Sequence, residues 1–221
     1  LNQYKRLALG PAQLSNLEMG YVYEELLRRF SEQSGEEAGE HFTPREVIQL
    51  IVHCLFSGDN EALSKPGVVR SLYDPTSGTG GILSMGEATA RSINSTALMR
   101  LYGQELNDES YAICKADMLI KGEEIANIVF GNTLSADGLP GKHFDYMLSN
   151  PPFGVEWKKI EKAVREEYEK QGYNGRFGPG LPRVSDGSMP FLLHLISKLR
   201  PAADGGSRIG LGIRIAALLC G

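Results

Sequence analysis

The sequence predicts an α/β protein: a doubly wound, mostly parallel sheet with a short helical segment ahead of it. Two observations predict this. Short apolar strand-like runs alternate with helix-like segments through most of the 221 residues, and the connections between them are short. That alternation implies βαβ units, parallel pairing and right-handed crossovers. Secondly, three of the strand-like runs end in conspicuous polar or turn-forming motifs, "DPTSGTGG", "GQELN" and "SNPPF". Ligands of such sheets bind outside the carboxyl ends of the strands, so the three motifs should converge.

Each element has its own signal. From Leu14 to Phe30, apolar Leu17, Tyr21, Leu26, Leu27 and Phe30 recur at helical spacing, and Glu24, Glu25, Arg28 and Arg29 supply a polar face. "SEQSGEEAGE" is a polar linker. "TPREVIQLIVHCLF" reads as a helix capped by Thr43, with Pro44 at its first position and Glu46 three residues after the cap. "GVVRSLYD" is a first strand, the glycine loop follows, and "ILSMGEATARSI" returns to helix. "ALMRLYGQEL" is the second strand; "NDESYAICKADMLIKG" is a helix capped by Asn107 or Asp108. "ANIVFGNTL" and "HFDYMLSN" are the third and fourth strands. A charged, exposed helix over "VEWKKIEKAVREEYEKQG" leads into the Gly- and Pro-dense loop "YNGRFGPGLPRVSDGS". "MPFLLHLISKLR" is a buried helix and "SRIGLGIRI" a fifth strand. We therefore divide the chain into residues 1–39, the end of a helical domain and a linker, and residues 40–221, one α/β domain.

Composition narrows the class. A net charge of −4 argues against a domain that grips DNA by a broad basic face, but leaves room for a local cleft or a DNA-binding partner. Cys54, Cys114 and Cys220 are widely spaced, odd in number and without a CxxC, which reads as reduced, intracellular thiols. His41, His53, His143 and His194 show no zinc-ligand spacing, so no metal is expected. The apolar tail "IGLGIRIAALLC" is too short for a bilayer and carries Arg214; with no signal peptide, a cytoplasmic protein away from membranes is expected. The start at Leu1 and the apolar end suggest a piece of a longer polypeptide.

The motifs carry the chemistry. In "YDPTSGTGGIL", Gly78, Gly80 and Gly81 let the backbone turn tightly beside a ligand. Neither a Walker loop nor GxGxxG is present, and Asp74 would repel a phosphate while attracting an amino group. Glu105 ends the second strand, 31 residues after Asp74, where a carboxylate can accept both hydroxyls of a ribose. An acidic glycine loop with such a carboxylate suits a ligand bearing a ribose and an ammonium group, as S-adenosylmethionine does. In "NPPF", the Asn150 side-chain oxygen and the Pro151 carbonyl can accept hydrogen bonds from the amine of a nucleobase, held in aim by stiff prolines. Phe153 can stack on an extruded base. Bland readings remain beside these: a plain strand-to-helix turn, a solvated Glu, a proline-stiffened turn over a buried Phe.

Taken in order, these segments resemble the modification (methyltransferase) subunit of type I DNA restriction-modification systems, with its motifs in the gamma order. "EHFTPREVIQLIV" resembles the segment ahead of the family's glycine loop, "DPTSGTGGIL" that loop, "GQELN" the ribose-binding strand end, "GNTL" the adenine-side motif and "SNPPF" the catalytic motif. "MGYVYEELLRRFSE" resembles the end of its helical domain. The resemblance implies a Rossmann-like, S-adenosylmethionine-dependent N6-adenine methyltransferase that lacks its C-terminal part. By motif, His41, Phe42, Thr43 and Pro44 would line the methionine end of the cosubstrate, and Asp74 would hold its amino group. Ser77, Gly78, Thr79 and Gly80 would lie against its backbone, Glu105 on its ribose and Asn132 on its adenine amine. Asn150, Pro151, Pro152 and Phe153 would hold the target base. The implied partners are DNA, a specificity subunit and a second copy of the modification subunit in the same assembly; whether a restriction subunit joins them stays open. From about residue 212, "GIRIAALLCG" departs from the family's pattern. Arg176 and Arg183 are expected on a flexible loop that orders over DNA or the flipped base. Two other readings stay open: a protein glutamine methyltransferase, and a non-catalytic assembly subunit.

Overall fold

The computed structural model describes residues 45–152 and 156–212, together with Val22 and Glu25. Of the helix expected over Leu14–Phe30, the described residues Val22 and Glu25 are helical; the Thr43 cap and the tail from residue 213 lie outside the described residues. Five strands form a sheet: β1 (Val69–Asp74), β2 (Leu98–Glu105), β3 (Ile128–Phe130), β4 (Tyr146–Ser149) and β5 (Arg208–Leu211). Their order is β3-β2-β1-β4-β5, and every pairing is parallel. The chain runs outward from β1 to β3, then returns to the other side of β1. That reversal puts the topological switch point between β1 and β4, so a crevice is expected beyond Asp74 and Ser149.

Alternation along the central strands sorts side chains to two faces. Leu72, Met99, Leu101, Ile128, Tyr146 and Leu148 face one side, against α1 (Arg45–Ser57), α2 (Gly81–Ile93) and α3 (Asp108–Lys121). Ile48, Val52, Leu55 and Phe56 from α1, Ile82 and Leu83 from α2, and Cys114 and Met118 from α3 complete this core. Fully burying each large aliphatic chain stabilises the fold by roughly 1.5–3 kcal/mol. Gly86 lets α2 lie close on β1, since a Cβ there would collide with Leu72 Cδ2. Tyr73, Phe144 and Met147 point to the other face, where Leu139 and Leu195 of α5 (Ser188–Ser197) join them. The Tyr73 and Phe144 rings stack with centroids 4.5 Å apart.

Boundaries differ from expectation where single residues interrupt a pattern. β3 stops at Phe130 because Gly131 takes φ 136° and Asn132 then caps the next turn, its Oδ1 accepting from Leu134 N at 3.0 Å. α3 is capped by Asn107, whose side chain accepts from Ser110 N at 2.8 Å. The helix expected over residues 155–172 is divided into a 3-10 turn at Trp157–Ile160 and α4 (Glu161–Gln171). It is not simply exposed: Trp157 and Val164 are buried with Leu134, Phe177 and Leu193 in a third apolar cluster.

Candidate active site

The three predicted strand-end motifs meet at the carboxyl edge of the sheet. Asp74 ends β1 with no exposed surface. Its Oδ1 accepts from Thr76 N at 2.9 Å and Thr76 Oγ1 at 3.2 Å, while its Oδ2 is buried without a hydrogen-bond partner. Burial pushes its pKa up to about 7; the Thr76 hydrogen bonds oppose that shift, and the Glu105 charge adds to it. A buried, unpartnered carboxylate oxygen is costly unless a ligand completes it. Beyond it the loop is shaped by glycine: Gly78 has φ 52° and Gly80 φ 91°. Gly80 packs against α3, where an added Cβ would lie 3.0 Å from Cys114 Sγ.

Glu105, half-buried at the end of β2, reaches back to this loop. Its Oε2 accepts from Gly78 N at 2.7 Å and its Oε1 from Asn107 N at 2.7 Å. Each carboxylate oxygen so fixed keeps a second lone-pair direction for an outside hydroxyl. Asn132 follows β3, and its Oδ1 accepts from Leu134 N at 3.0 Å and Ser135 N at 3.2 Å. The amide is therefore oriented by its oxygen, and what it can offer a ligand is its Nδ2 donors.

The "SNPP" turn leaves β4 beside this group. Ser149 Oγ and Thr76 Oγ1 are 2.9 Å apart, a direct hydrogen bond between the glycine loop and the residue before Asn150. Asn150 is half-buried, Pro151 buried and Pro152 exposed. The Asn150 side chain lies against Gly212, just past β5: a Cβ on Gly212 would sit 2.7 Å from Asn150 Oδ1. His41, Phe42, Thr43, Pro44 and Phe153 lie outside the described residues. A separate cavity of about 240 Å³, bordered by Arg70, Arg100, Tyr102 and Lys142, opens toward the amino ends of β1 and β2; it holds none of the candidate residues.

Several residues that tie the site together escape sequence reasoning. Gln104, almost fully buried, spans the turn after β3: its Nε2 donates to Ala136 O at 2.9 Å and its Oε1 accepts from Gly138 N at 3.0 Å. Thr133 Oγ1 donates to Pro75 O at 2.6 Å, joining that turn to the glycine loop. The one signal for Gln104 is its place beside Glu105 at the polar end of β2; Thr76, Thr133 and Ser149 carry none.

Arg176 corrects an expectation. It does not ride on a loose loop free to meet DNA but is 9% exposed. Its five N–H donors are engaged. Nε and one Nη2 hydrogen hold Glu167, the latter at 2.5 Å; Nη1 donates to Thr133 O at 2.5 Å and His194 Nδ1 at 3.2 Å; Nη2 also donates to Leu134 O at 3.0 Å. The loop is pinned from both ends, since Trp157 Nε1 donates to Arg183 O at 2.8 Å. Arg183 itself is exposed.

Comparison with known proteins bears on the family and the fold. A model of the family described as N-6 DNA Methylase matches residues 15–209. A type I restriction enzyme methylase subunit of Mycoplasma pneumoniae is 26% identical over 80% of this chain and 32% of its own length. One from Methanocaldococcus jannaschii is 29% identical over 93% of this chain and 35% of its own. The crystal structure of a type I restriction-modification methyltransferase subunit from Streptococcus thermophilus superposes with TM-score 0.67 at 30% identity, covering 87% of this chain and 39% of that one. A putative class I S-adenosylmethionine-dependent methyltransferase from Listeria monocytogenes shares the fold, with TM-score 0.66 at 11% identity over 99% of this chain and 59% of that one. The chain spans about a third of the length of the curated relatives it matches.

Proposed function

The chain belongs to the N-6 DNA methylase family, and we propose that it is the catalytic part of a type I restriction-modification subunit that methylates adenine N6 in DNA. One observation carries the reading furthest: Thr76 and Ser149, 2.9 Å apart, hold an acidic, incompletely satisfied loop against the strand end that presents Asn150. A methyl donor and a planar amine need that adjacency.

The residues fit S-adenosylmethionine, which supplies an electrophilic methyl group when bound. Asp74 Oδ2, buried and unpartnered, receives its ammonium. Glu105, fixed by Gly78 and Asn107, accepts the ribose hydroxyls. Ser77, Gly78, Thr79 and Gly80 line the approach. Asn132 offers N–H donors to ring nitrogens of the adenine, not the acceptor its amine needs, because its oxygen is already held. By motif, we assign His41, Phe42, Thr43 and Pro44 to its methionine end.

On the target side, Asn150 Oδ1 and the Pro151 carbonyl accept the two N6 hydrogens of an extruded adenine. This draws the nitrogen lone pair out of the ring plane, and Pro152 stiffens the turn. Phe153 stacks on the base. Nitrogen would gain the methyl as the donor's sulfur–methyl bond breaks and a neutral thioether leaves, and would lose its proton to solvent afterwards, so no strong base is required. Residues 40–221 form the catalytic domain, and 1–39 end a helical one. DNA sequence is read by a specificity subunit, two modification subunits close on the duplex, and the assembly works in the cytoplasm.

The test is transfer of labelled methyl groups to DNA by the full-length subunit assembled with its specificity subunit. Asn150→Ala is expected to lower turnover by about 10²–10³-fold, the scale of removing one aimed polar group, with S-adenosylmethionine affinity within about twofold. Label appearing on glutamine-bearing protein and not on DNA, or on neither, would overturn the reading.

A further inference from the structure

We propose that Arg176 is the positioning residue of the cosubstrate site, locking the segment after the catalytic turn onto the two loops that hold the ligand. The inference rests on the methyltransferase reading above and assigns a role to a residue that touches neither substrate.

Arg176 lies 26 residues beyond Asn150, yet its fork closes on three other parts of the chain. Toward the turn after β3, it donates to the carbonyls of Thr133 and Leu134. Leu134 N in turn holds Asn132 Oδ1, so the guanidinium fixes the peptide that orients the Asn132 amide. Thr133 also carries the hydroxyl that holds Pro75 O, the residue after Asp74. Toward β1, Nη1 donates to His194 Nδ1. Arginine can only donate, so His194 must keep Nδ1 bare and carry its proton on Nε2, which meets Tyr73 Oη at 2.9 Å. Tyr73 precedes Asp74. The fork therefore reaches both neighbours of Asp74 through one intermediate group each, and Asn132 through another. Glu167 of α4 completes it with contacts at 2.5–3.1 Å. Lysine, a point charge with a shorter reach and three donors, can keep Glu167 but cannot span both carbonyls and the imidazole.

The test uses the full-length subunit with its specificity subunit, reading S-adenosylmethionine affinity by calorimetry, DNA affinity by fluorescence anisotropy, and thermal stability. Arg176→Lys is expected to weaken cosubstrate binding about tenfold with DNA affinity within about twofold. Glu167→Gln, which preserves packing, is expected to weaken cosubstrate binding about threefold in the same one-sided way. A lowered melting temperature with unchanged cosubstrate affinity in the folded variants would reduce Arg176 to a stability role and overturn the inference. Loss of DNA affinity alone would also overturn it. If Arg176→Lys does not fold, Glu167→Gln decides alone. Wild-type protein that binds no S-adenosylmethionine would overturn the proposed function, and this inference with it, whereas wild-type binding with unaffected variants overturns the inference only.

Discussion

Asp74 illustrates what one side chain gives up for function. Its carboxyl is pushed up to about 7 by burial, with one oxygen unpartnered. A carboxyl whose folded pKa lies above its unfolded value, about 3.9, binds protons more readily in the fold. The free protein is therefore penalised as pH rises from about 4, and fully so above about 7. Asp74→Asn is expected to stabilise the unliganded protein at pH 8 by on the order of 1–3 kcal/mol while destroying S-adenosylmethionine binding. Melting curves at pH 5 and pH 8 check this: the gain should be clearly larger at the higher pH. For wild type, cosubstrate affinity should rise from pH 6 to pH 8 as Asp74 ionises. Asp74, Gly78 and Gly80 are legible in the sequence because a carboxylate before a glycine turn is a local pattern. Ser149 and Thr76 are not, since their meaning lies in a partner 73 residues away.

At the scale of elements, the order of strands and helices was readable because apolar runs and caps are written locally, Asn107 at the start of α3 among them. What was not readable is how the loops are braced. One side chain of β2, Gln104, shapes the turn from Gly131 to Gly138. A guanidinium that looked like a DNA contact is an internal clasp because apolar Trp157, Val164 and Phe177 fold its loop inward. The end of β5 has a functional consequence of its own. Gly212 lies outside the left-handed region, so a methyl group there strains no backbone; it would instead press on Asn150 Oδ1. Gly212→Ala is expected to leave the melting temperature within about 2 °C, the effect of a few tenths of a kcal/mol. Methyl transfer should nonetheless fall at least tenfold with cosubstrate affinity intact. Equal turnover in the two proteins would show that Asn150 does not work from this position.

Across the whole molecule, side chains from four distant parts of the chain are tied to the end of β1 and the loop that follows it. Glu105 reaches Gly78 across 27 residues of sequence, Thr133 reaches Pro75 across 58, Ser149 reaches Thr76 across 73, and His194 reaches Tyr73 across 121. Such long closures become favourable only after the intervening chain has been ordered. During refolding, competence to bind S-adenosylmethionine should therefore trail the recovery of helix and strand signals, as a slower phase in stopped-flow mixing. Until that slower phase is complete, a chain that has collapsed and regained its sheet is expected to be chemically blank.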